Sequence, residues 1–149
     1  MPWAEHPDKA ETLDHALRAR KRLAGNDGFE TVIVEGDRII GAIGYHGVDW
    51  RHRNTSIGYW LAEGHQGRGI MTAAVRALVE HAFDGWKLHR VEISAAPDNV
   101  RSRAIAERLG FREEGVLREA ERFAGRYADL VVYGLLAPEW AERAHLPSS

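Results

Sequence analysis

The sequence predicts a mixed α/β domain built around a single sheet, and three observations carry that reading. β-rich runs come as a block in the first half and alternate with helical patterns in the second. The length, 149 residues, suits one domain with short tails. Hydrophobic residues at 44% and charged residues at 28% give an ordinary globular balance, enough to build a core without staples.

Each element has a local reason. Pro7 to Leu23 reads as a helix, with Asp8 as N-cap, Glu11 behind it and Ala10, Leu13 and Leu17 at helical spacing. Gly25 to Gly28 breaks the chain, and Phe29 to Glu35 is a strand. A tight turn at Glu35-Gly36-Asp37 joins it to a second strand, Arg38 to Tyr45. A polar loop, Asp49 to Asn54, leads to a third strand, Thr55 to Leu61, in which Gly58 hints at a bulge or a close backbone approach. Ala62 to Arg68 is a loop, and Gly69 to Phe83 a helix with one apolar face, stopped by Asp84-Gly85. Leu88 to Ala95 alternates as a strand; Val100 to Leu109 is a short helix ended by Gly110. Phe111 to Leu117 and Tyr127 to Leu136 read as an antiparallel pair, Pro138 to Ala144 as a last short helix and residues 145–149 as a loose tail.

Composition excludes several chemistries. There is no cysteine, so disulfides, cysteine zinc sites, iron–sulfur clusters and an acyl-cysteine intermediate are ruled out. The eight histidines show no ligand spacing, so no metal is expected. A formal net charge of -2 and the lack of a basic stripe argue against a nucleic-acid binder. No apolar run approaches the roughly 18 residues of a membrane span, and the first residues do not read as a signal peptide. A cytoplasmic protein away from membranes is the expectation. Arg51-His52-Arg53 reads as a solvated basic loop.

The chemically informative stretch runs from Tyr59 to Thr72. It is a strand, a glycine-rich loop and a helix start. Gly64, Gly67 and Gly69 let successive N–H groups converge, and the first N–H groups of a helix have no internal partner. A phosphate or pyrophosphate fits there, with Arg68 adding a full charge. The dinucleotide spacing G-x-G-x-x-G fails, as does the phosphate-loop Gly-Lys-Ser/Thr. A phosphate-bearing cofactor held mainly by backbone remains, against the alternative of an ordinary strand-to-helix turn.

Gln66-Gly67-Arg68-Gly69-Ile70-Met71 resembles the Gln/Arg-x-x-Gly-x-Gly/Ala signature of the GNAT acetyltransferases, with Met71 where a small residue is commoner. Ile57 to Leu61 before the loop and Gly69 to Thr72 after it resemble the ribosomal-protein (serine/alanine) N-terminal acetyltransferases within that family. Leu88 to Ile93, Asn99 to Ser102, Arg108 to Phe111, Glu114-Gly115 and Tyr127 to Asp129 follow in family order. The resemblance covers about residues 29 to 136. It implies a mostly antiparallel twisted sheet with helices on both faces, acetyl-CoA as co-substrate, and direct attack of a primary amine in a ternary complex. The acceptor it implies is a protein N-terminal α-amine. A small-molecule amine is the runner-up, and a non-catalytic coenzyme A-binding module the less favoured third reading.

The resemblance also assigns roles. Gln66, Gly67, Arg68, Gly69, Ile70 and Met71 hold the cofactor through backbone N–H groups, with Thr72 near the helix start. Tyr59, Trp60 and Leu61 pair with the pantetheine amides as an added strand does. Tyr59 and Trp60 alternate, so one is expected in the core and the other toward the cleft. Asn99 reads equally as a helix cap or a pantetheine contact. Ser102 is the implied general acid and Glu121 the implied base, with Glu92 and Glu63 as rival carboxylates. The family's usual first strand and helix have no counterpart in this sequence. That leaves the strand Phe29 to Glu35 as an apolar edge, from which a homodimer or higher oligomer is expected.

Overall fold

The computed structural model describes residues 30–62, Gly64 and residues 69–144. The expected Pro7–Leu23 helix and the segment Gln66 to Arg68 lie outside the described residues.

Two strands open the described chain, β1 (Glu30–Glu35) and β2 (Arg38–Asp49), followed by β3 (Asn54–Leu61). Helix α1 (Ile70–Glu80) leads through a π-helical turn, His81–Gly85, to β4 (Arg90–Ala95). Helix α2 (Val100–Arg108), strands β5 (Arg112–Phe123) and β6 (Arg126–Leu136) and helix α3 (Ala137–Ala144) complete it. The six strands form one sheet in the order β1-β2-β3-β4-β6-β5. Only the β3–β4 pair is parallel. The sheet is therefore mostly antiparallel, as the sequence predicts. No described strand pairs with the outer edge of β1, and no described helix is long and apolar enough to cross a membrane.

Alternation decides which face is buried. Tyr45, Ile57, Val91, Ile93, Val131, Tyr133 and Leu135 share one face, and α1 packs Met71, Val75 and Val79 against it. Helix α2 adds Ala106, and Trp140 of α3 joins the same cluster. Tyr45 is fully buried, yet its hydroxyl donates to the Leu78 carbonyl at 2.5 Å. A side chain bonded into the helix ladder near its end accounts for the widening into a π turn, where Trp86 N–H bonds the His81 carbonyl.

Three expectations are corrected. The bulge anticipated at Gly58 lies in β2, between Tyr45 and Val48, while Gly58 keeps regular pairing with Gly44. The His46 ring lies over Gly58, so a Cβ there would displace that ring. β2 runs on to Asp49, beyond the expected end at Tyr45. β5 runs on to Phe123, past two irregularities in register that mask its alternation.

Candidate functional site

Strands β3 and β4 are parallel neighbours only over Asn54–Ser56 and Arg90–Glu92. Beyond that ladder they part. Ile57 to Leu61 continue to pair with β2 on one side and have no described strand on the other. A strand with one free edge presents alternating N–H and C=O groups, the template for an extended ligand to add as a strand. The gap opens into a cavity of about 960 Å³. Its walls are the Ile57 to Leu61 stretch of β3, the first turn of α1, the end of β4, one side of α2 and the β5–β6 hairpin.

Helix α1 begins at Gly69, whose backbone is left-handed with φ 73°. A Cβ at Gly69 would meet nothing within 4 Å, so glycine is demanded here by conformation. With no side-chain cap, the first-turn amides of Ile70, Met71 and Thr72 face the cavity end of the helix, where the dipole favours an anion. Met71, the departure from the signature, is buried in the core. Its bulk fills space beneath the helix start, and the anion-facing group at this position is its amide. Arg108 of α2 donates to the Thr72 hydroxyl at 3.2 Å and ties the two helices together at this corner.

Helix α2 presents Arg101, Ser102, Ile105 and Arg108 to the cavity, a single face at helical spacing. Asn99 is its N-cap, with the side-chain oxygen accepting from the Ser102 amide at 3.3 Å. Of the two roles open for Asn99, the cap is the one formed, and the residue also lines the cavity. The Tyr59 hydroxyl crosses from β3 and donates to the Ser102 carbonyl at 3.0 Å. Burial pushes the Tyr59 phenol far above its ordinary value, so it is a fixed neutral donor. Tyr59 and Trp60 both line the cavity, and the ring of Tyr59 also packs on the core.

Ser102 and Glu121 approach the cavity from different directions, one from α2 and the other from β5 opposite Ala128. Glu92 does not line it. Glu92 is paired with Arg90 at 3.0 Å, and Arg90 also forms a two-pronged bond with Glu114 at 2.9 and 2.6 Å. That cluster stands where the sheet is closed. Glu63 lies outside the described residues. The basic loop is structural as well. His52 pairs with Asp49 at 2.9 Å, and the Arg53 carbonyl accepts the amides of His89 and Arg90.

Tyr59, Trp60, Leu61, Gly69, Ile70, Met71, Thr72, Asn99, Ser102 and Glu121, widely spaced in sequence, thus share one cavity. The sequence reading missed Arg101, Arg126 and Tyr127 in its walls. The helical spacing of Arg101 with Ile105 and Arg108 was the available signal. Nothing local marks Arg126 and Tyr127, which come from the far hairpin. Among the described residues no group of three histidine or carboxylate side chains is placed to hold a metal ion.

Comparison with known proteins gives a consistent result. The family model described as an acetyltransferase (GNAT) domain matches residues 1–112. The putative ribosomal N-acetyltransferase YdaF of Bacillus subtilis (strain 168) is 40% identical over 140 residues, 93% of this chain and 76% of its own length. Over four curated relatives the chain spans from 57% to 76% of their length. The microcin C7 self-immunity acetyltransferase MccE, solved with acetyl-CoA and AMP, superposes with a TM-score of 0.81 at 28% identity, covering 91% of this chain and 76% of that one. RimL, a ribosomal α-N-protein acetyltransferase solved with coenzyme A, gives 0.79 at 27% identity, covering 89% and 75%.

Proposed function

The chain belongs to the GNAT acetyltransferase family, and from that premise we propose that it transfers the acetyl group of acetyl-CoA directly to a primary amine, with a protein N-terminal α-amine as the acceptor. The observation that carries the reading is the parting of β3 from β4, where the end of β3, the start of α1, Ser102 and Glu121 border one cavity. Acetyl-CoA supplies an acyl group on a good leaving thiolate. The backbone N–H groups from Gln66 to Met71 hold its pyrophosphate, assisted by Arg68 and by Thr72 at the helix start. The strand Tyr59, Trp60 and Leu61 aligns the pantetheine arm and offers N–H groups to the thioester carbonyl.

In the transfer a C–N bond forms and the C–S bond breaks. Glu121 accepts the proton lost by the ammonium, directly or through water, and Ser102 gives a proton to the departing sulfur. Asn99 keeps the Ser102 end of α2 in place through its cap. The absence of cysteine supports direct attack over an acyl-cysteine route. The α-amine acceptor is supported by the likeness to relatives named as ribosomal acetyltransferases. A small-molecule amine is the second reading, supported by the likeness to the microcin immunity enzyme.

The test is thiol release from acetyl-CoA with purified protein, scored against peptides with free α-amines and against amino acids, polyamines and aminonucleosides. Mass spectrometry would locate the acetyl group. Transfer to the peptide α-amine, with none to the same peptide blocked at its N-terminus, is the expected result. Turnover with small amines alone would transfer the reading to the second acceptor class. Tight coenzyme A binding without turnover on any amine would leave a binding module.

A further inference from the structure

Strand β5 brings Glu121 to its level in the cavity wall through an irregularity. Upstream, Leu117 lies opposite Leu130 of β6; downstream, Glu121 lies opposite Ala128. β5 thus advances four residues while β6 advances two, so two extra residues are looped out between these pairs. Had the register of Leu117 continued, Glu121 would face Arg126 beside the hairpin turn. The offset is two residues, about 6.6 Å along the strand. The bulge therefore decides at which level of the cavity wall the carboxylate stands, beside Ala128 or further along beside Arg126 at the hairpin.

The bulge contains Glu119, whose backbone is left-handed with φ 48°. A non-glycine residue does not keep that conformation without compensation. The compensation comes from Asp129, whose carboxylate accepts the Glu119 amide at 2.8 Å. Asp129 lies between Ala128 and Leu130, both of which line the cavity, whereas Asp129 does not. Strand alternation turns it to the other face, where it borders a separate hollow with Val116 to Ala120. It is thus placed to hold the bulge and not to meet the reacting groups.

We infer that Asp129 is a positioning residue: its bond to the Glu119 amide locks the two-residue bulge in β5 and thereby sets the level of Glu121 in the cavity wall. This rests on the reading of Glu121 as the base. The bond requires an acceptor oxygen and no charge, so D129N retains it and D129A loses it. Misplacing a catalytic group by about 1 Å costs on the order of 100-fold in rate.

Five proteins decide the matter: the wild type, D129A, D129N, E121Q and the double variant D129A/E121Q. D129A is expected to lose roughly 10- to 100-fold in kcat with its KM for acetyl-CoA unchanged. D129N should stay within about threefold of wild type, and the double variant should be no slower than E121Q. Hydrogen exchange should show the Glu119 amide protected in the wild type and D129N and unprotected in D129A. A normal kcat in D129A beside a crippled E121Q overturns this inference and spares the base. A near-normal E121Q removes the base and this inference with it. If D129A does not fold, D129N decides alone: a folded but crippled D129N, or one with an unprotected Glu119 amide, overturns the inference, and a near-normal one upholds it.

Discussion

The two ends of the parallel β3–β4 pair are built for different purposes. At the closed end, Asn54–Ser56 pair with Arg90–Glu92, the Arg53 carbonyl gathers two amides, and Thr55 bonds the Gly47 carbonyl at 2.5 Å. Val91, Ile93, Tyr133 and Leu135 are at most 1% exposed around it. At the open end the strands have lost their ladder, and apart from the buried Ile57, Met71 and Ala95 the residues facing the gap are half-buried or exposed. Cross-connections there include Tyr59 to Ser102 and Arg108 to Thr72. An open strand edge forgoes ladder hydrogen bonds, and the closed end supplies the cohesion that lets it stay open. Substitutions at the two ends should accordingly move different observables.

The largest effect is expected at the open end. E121Q keeps the side chain's shape and removes its basicity, so kcat should fall roughly 10²- to 10⁴-fold, with the melting temperature and acetyl-CoA affinity nearly unchanged. Raising the pH should restore part of the rate. An unaffected kcat would mean that the cavity works through another group. At the closed end, L135A removes a side chain that is 1% exposed and should cost about 2–5 kcal/mol of stability in denaturant titration. Acetyl-CoA affinity of the remaining folded protein should persist. A matching loss of affinity would show that the ends are coupled.

Tyr59 sharpens the boundary between the two ends, because its ring packs on the core and its hydroxyl reaches α2. Y59F should lose about 0.5–1.5 kcal/mol of stability and also raise the KM for acetyl-CoA, the one substitution here expected to move both. The smallest effect concerns Glu114. Arg90 beside it holds its carboxyl below the usual carboxylate range. A lowered folded-state pKa stabilises at pH above the ordinary value and is lost as the pH falls through the lowered one. The Glu114 side chain is 40% exposed, so solvent screening limits the contribution to less than about 1 kcal/mol at neutral pH. E114Q should therefore be slightly less stable than wild type at pH 7 and equal to it in acid, as read by chemical denaturation across pH. A gap that persists in acid would assign the loss to packing.

Most of the secondary structure among the described residues was legible in the chain, because each element carries its own signal. β3, β4 and β6 alternate, α1 has one apolar face, and α2 opens on Asn99 and closes at Gly110. Family membership was legible through ordered motifs, and Ser102 and Glu121, which those motifs single out, both line the cavity. What escaped is what depends on pairing. Arg118 to Glu121 lie past the expected end of the strand at Leu117, and only opposite β6 do they extend it through a bulge. Gly58 reads as a bulge or a close backbone approach, and only the folded sheet shows regular pairing there with the His46 ring lying over it. Arg126 and Tyr127 carry no local mark of a site and reach the cavity only because β6 lies beside β4 and runs past its end. Periodicity, capping and motif chemistry are written into neighbouring residues, so they survive in one dimension. Register, strand parting and the meeting of Ser102 with Glu121 around one cavity depend on contacts between distant segments, and these exist only once the sheet has formed.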